Sequence, residues 1–202
     1  MQYKRNQLEE AISAIVGPKI KRPPSQGLQI KLKRLLEADR ALKRSVRSAD
    51  PALHHYAFFS AEPPGRGVEV QFTEYEVFAA CVALQLLHHG WTPEVAAKVM
   101  RRVRDELESE HRRILHLCSE GSASEIKFDN TPVIVATTGA LDDGGDAPLE
   151  CCVRDSHLEA AKWTWTKRET GQGFAMFHFA HVAQQISLAL RKTEPRRRGQ
   201  PG

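Results

Sequence analysis

The chain has 202 residues, 41% hydrophobic and 27% charged, which suits one well-cored domain or two small ones and argues against wholesale disorder. It has no run of about 18 apolar residues to span a membrane, and its N-terminus lacks the apolar core of a secretory signal, so a cytoplasmic protein is expected. The net charge of +4 hides an asymmetry: residues 1–50 carry 12 Lys/Arg against 5 Asp/Glu, residues 191–202 carry 5 against 1, and the middle carries 12 against 19. Basic ends on an acidic body point to contact with a polyanion.

Taken in chain order, the first helix is expected to start at Asn6, with Glu9 closing a capping box and Leu8, Ile12, Ile15 and Val16 forming one stripe. Gly17-Pro18 stops it, and 18–25 is a basic connector containing Lys21 and Arg22. A second helix follows from about Ser25 to Arg44. Leu28, Leu32, Leu35, Leu36 and Leu42 lie on one side, with Gln29, Lys33, Arg34 and Arg40 across from them or flanking. Residues 56–72 read as a β-hairpin around Glu-Pro-Pro-Gly-Arg-Gly, with Arg66 near its tip.

Thr73 and Glu76 then form a capping box, with Phe72 and Val77 placed as a hydrophobic staple. The helix they open is apolar nearly all round from Val77 to Leu87 and ends at Gly90. Thr92-Pro93 opens a long helix that should run to about Cys118. Its apolar seam, including Val99, Val103, Leu107 and Ile114, lies on a charged surface and suits a two-helix pairing, within the chain or, as the dimer interface, across two subunits.

The character changes after 119. The segments 132–140, 150–156 and 162–169 read as strands, 174–192 as a closing helix, and 193–202 as a disordered basic tail with Arg196, Arg197 and Arg198. The fold class expected is α+β, mainly helical, with domains at 1–118 and 125–192.

Sites of chemistry are few. Asp142, Asp143 and Asp146 lack the closing glutamate of a calcium loop and read as a surface turn. His178 and His181, one turn apart on the expected closing helix, are the best-spaced ligand pair, but satisfied core or semi-buried histidines are the preferred reading. The four cysteines have no C-x-x-C spacing and read as reduced thiols. No catalytic residue, metal or cofactor is expected.

The order of elements over 1–118 resembles the MerR-type winged helix-turn-helix regulators. The stretch Phe72-Thr73-Glu74-Tyr75-Glu76 is similar to the family's helix start, with Phe for Tyr, and Leu86-Leu87-His88-His89-Gly90-Trp91-Thr92-Pro93-Glu94 to its helix joint. The resemblance implies a dimeric DNA-binding regulator. Gln29, Lys33 and Arg34 would face the groove, while Lys21, Arg22, Arg66 and Arg196, Arg197 and Arg198 hold phosphates. Two features depart from the pattern: a glutamate, Glu69, on the expected wing, and a long, proline-rich link between the first two helices. The alternative reading is a protein–protein interaction module without enzymatic activity.

Overall fold

The computed structural model describes residues 1–16, 23–63, 68–119, 132–138, 150–166 and 173–195. The described residues are mainly helical, with two small antiparallel sheets. The chain divides into two compact units, residues 1–101 with 182–202, and residues 102–181. The division falls between residues 101 and 102, and residues 182–190 of the closing helix group with the N-terminal residues.

In the first unit, strand β1 (Tyr3–Lys4) leads into α1 (Arg5–Val16). Gln7, not Asn6, organises this start. Its side-chain oxygen accepts from the Lys4 N–H at 3.0 Å, while Asn6 sits inside the helix and donates to the Glu194 carbonyl. Glu9 pairs with Arg5 at 2.8 Å instead of capping. Helix α2 (Gln26–Ala41) is capped by Ser25, whose hydroxyl accepts from the Leu28 N–H, and buries Leu32, Leu35 and Leu36.

The expected hairpin is not formed as read. Strand β2 (Gln71–Phe72) pairs antiparallel with β1, Tyr3 opposite Phe72, and residues 56–60 are not a strand. Tyr56, Ala57, Phe58 and Phe59 are instead a buried coil, and the Asp39 carboxylate holds it by accepting from the Ala57 and Phe58 N–H groups. Aromatic residues favour strands because they suit buried surfaces, and here burial is achieved without a ladder.

Helix α3 (Glu74–His88) forms as its caps dictate. Glu76 Oε2 accepts from the Thr73 N–H at 2.7 Å, and the Thr73 hydroxyl accepts from the Glu76 N–H at 3.2 Å. Every residue from Tyr75 to Leu84 is buried, so α3 is the centre of the first unit. Its exit is a Schellman motif: Gly90 N–H bonds the Leu87 carbonyl and Trp91 N–H the Leu86 carbonyl, with Gly90 at φ +89°.

Two glycine substitutions should therefore have opposite signs. Gly90→Ala meets no atom within 4 Å, so its cost of about 1–2 kcal/mol is purely that of the left-handed backbone. Gly27→Ala, also unobstructed and in the first turn of α2, should stabilise by up to about 1 kcal/mol. Urea titration of both variants checks the pair.

The expected long helix is two. Helix α4 (Pro93–Arg102), capped by the Thr92 hydroxyl, stops at a turn at Val103, and α5 (Arg104–Ser119) follows. Neither glycine nor proline occurs near the break, so no local signal announced it.

In the second unit, β3 (Val133–Thr138) is the middle strand, flanked antiparallel by β4 (Cys151–Arg154) and β5 (Gly173–His178). The Glu106 carboxylate of α5 accepts from the Val153 N–H at 2.9 Å and so satisfies a donor on the outer edge of β4. Two expectations are corrected here. Residues 162–166, read as the start of a strand, lie in helix α6 (His157–Thr166), which Ser156 caps through the Glu159 N–H. Its two tryptophans part company: Trp163 meets Phe174 edge-on at 5.9 Å, and Trp165 is 69% exposed. Residues 174–178, read as the start of the closing helix, are β5. The helix proper, α7, is Ala180–Leu190.

Candidate nucleic-acid interface

The two units differ sharply in charge. Residues 1–101 with 182–202 hold 20 Lys/Arg against 11 Asp/Glu, or +9, and residues 102–181 hold 9 against 14, or −5. Both basic ends of the chain thus belong to one compact unit. They are also tied together: Gln7 donates to the Thr193 carbonyl and hydroxyl at 3.3 Å, and Asn6 to the Glu194 carbonyl at 3.0 Å. The tail expected to be free from 193 is therefore anchored on α1 as far as Glu194. Its arginines begin two residues later.

On α2 the leucine side faces inward, and Gln29, Lys33 and Arg34 are exposed on the other side. Gln29 makes only a local bond, to the Pro24 carbonyl at 3.3 Å, and Lys33 lies 3.8 Å from Glu37 with both side chains more than half exposed. Such a pair is weak and readily exchanged for a phosphate. Arg40 is engaged, its guanidinium 5.1 Å from the Phe59 ring centre. Glu69, the charge that would repel a phosphate from the expected wing, is neutralised by Lys4 at 2.9 Å.

Behind α2 lies a group that sequence reasoning missed. Arg101 is buried with its side chain fully covered, and its Nε donates to Asp39 Oδ1 at 2.6 Å. The same guanidinium donates to the Lys43 carbonyl at 2.7 Å, to the Ala52 carbonyl and to the Asp39 carbonyl, and lies 5.0 Å from the Tyr56 ring centre. Lys43 presents its carbonyl from a left-handed backbone, φ 49°. This fork fixes the C-terminal end of α2, and hence the direction in which its exposed side points.

Six of the nine expected DNA-contacting residues, Lys21, Arg22, Arg66, Arg196, Arg197 and Arg198, lie outside the described residues. So does the aspartate-rich loop at 141–148. The seam Val99, Val103, Leu107 and Ile114 is buried within the single chain at no more than 1% exposure, so it does not need a second subunit to cover it. His178 and His181 do not share a helix: one ends β5 and the other lies in α7. His178 is instead beside His157, their Nε2 atoms 3.1 Å apart. Cys81 is sealed in α3, where burial pushes its thiol up to about 12 and leaves it a poor nucleophile.

Compared with protein-family models and with curated proteins, the chain matches none. Among the described residues no helix is long and apolar enough to cross a membrane.

Proposed function

We propose that the chain is a cytoplasmic regulator that binds duplex DNA as a homodimer. The observation that carries this reading is the gathering of both basic ends into one unit of charge +9. Within that unit Gln29, Lys33 and Arg34 of α2 are of the types that read base edges. The capped α3, its Schellman exit and the Thr92-Pro93 start of α4 support the resemblance to MerR-type regulators.

The Lys33→Ala, Arg34→Ala double variant should bind a random-sequence duplex about tenfold more weakly at low salt, without loss of melting temperature, since both side chains are exposed. Unchanged affinity would remove α2 from the interface. A second reading, a protein–protein module, is favoured by one observation: α6 exposes Leu158 and Trp165, seven residues apart. Charging both, with Leu158→Glu and Trp165→Glu, should leave DNA affinity intact if the first reading holds.

A further inference from the structure

The second unit carries a feature that the DNA reading does not use. His157 opens α6 and His178 ends β5, and the cap at Ser156 and the β3–β5 register bring the two rings together. Their Nε2 atoms are 3.1 Å apart, the ring centres 4.5 Å, and the planes inclined by 35°. Two imidazoles joined by a straight N–H···N bond of that length would hold their centres about 5.4 Å apart. The shorter spacing means that the contact between the two nitrogens is bent off that straight line. Two metal–nitrogen bonds of about 2.0–2.1 Å, meeting at an angle between square and tetrahedral, place their nitrogens about 2.9–3.4 Å apart.

We infer that His157 and His178 form a two-histidine site for a divalent ion of the late first-row transition series, Zn2+ being the reference case. Both rings coordinate through Nε2, each with its proton on Nδ1. Among the described residues no group of three or more metal-binding side chains gathers, so water fills the remaining positions. The ion fastens the first turn of α6 to the end of β5.

Irving–Williams order makes Cu2+ and Ni2+ competitors for the same nitrogens, with the hard ions Mg2+ and Ca2+ excluded by ligand type.

The test is calorimetric titration of Zn2+ into the full chain with a phosphine reductant. One binding event is expected, weakened by about tenfold or more in His157→Ala and in His178→Ala alike. The His88→Ala, His89→Ala double variant, which removes the adjacent pair at the end of α3, should titrate as wild type. On the unaltered protein, imidazole nitrogen resonances of both His157 and His178 should move on adding one equivalent, and saturating Zn2+ should raise the melting temperature. Titration of either single variant as wild type overturns the inference. So does a wild-type protein in which neither histidine's resonances respond.

Discussion

Replacing Arg101 by alanine is expected to destabilise the first unit by about 3–5 kcal/mol, because it leaves the Asp39 carboxylate buried without its cation. The carbonyls of Asp39, Lys43 and Ala52 lose their donor at the same time. Asp39→Ala should be comparably severe, since the Ala57 and Phe58 N–H groups lose their acceptor and the guanidinium its counter-charge. The two losses share one network, so the double variant should cost clearly less than the sum. Arg5→Ala, which breaks the partly exposed pair with Glu9, is the control and should cost less than about 1 kcal/mol. Chemical denaturation of the four variants decides the matter; an Arg101→Ala effect no larger than that of Arg5→Ala would mean that the fork does not hold α2 in place.

Acidification supplies the second large effect. His111 of α5 is 3% exposed, and burial lowers its pKa to about 4, against about 6.5 in the unfolded chain. Between those values the unfolded state binds the proton more tightly, so stability falls as pH falls. The contribution of neutral His111 is fully present above pH 6.5 and disappears towards pH 4. Linkage puts the loss at about 2 kcal/mol by pH 5, and at about 3 kcal/mol once pH is below both values. His111→Leu should remove this component, so the gap between variant and wild type should shift in the variant's favour by that amount between pH 7 and pH 5. Parallel pH profiles for the two proteins would show that His111 titrates normally.

The elements that were legible in the sequence are those whose signals are local. The Thr73–Glu76 box, the Gly90 exit and the Thr92-Pro93 start are written within a few residues, and all three form as read. The leucine face of α2 follows from short-range periodicity, and the strands at 133–138 and 151–154 lie in short runs whose composition reads as strand. What failed was decided at longer range. Residues 174–178 are a strand because β3 lies beside them, and a continuous apolar run carries no period to say so. Trp163 and Trp165 imitate strand alternation, but the Ser156 cap upstream starts a helix that only one of them uses for packing.

The same limit applies to the sites. Arg101 and Asp39 are 62 positions apart, and each alone resembles a solvated charge on an amphipathic helix. His157 and His178 are 21 apart on different elements, while the pair that sequence spacing favoured, His178 and His181, straddles the end of a strand. The charge asymmetry was visible from composition. That both basic ends fall in one unit was not, because it depends on Gln7 and Asn6 meeting Thr193 and Glu194 across nearly the whole chain.

Binding of this +9 unit to the DNA backbone is measured directly by the affinity for a random-sequence duplex at about 50 and about 200 mM salt. With roughly six phosphate contacts, the affinity should weaken on the order of a thousandfold between the two conditions. Removal of residues 196–202, which leaves the Thr193 and Glu194 anchors in place, should lower the salt slope by about 3, one for each arginine lost. Undetectable binding at about 50 mM, or binding indifferent to salt, would contradict binding to the DNA backbone.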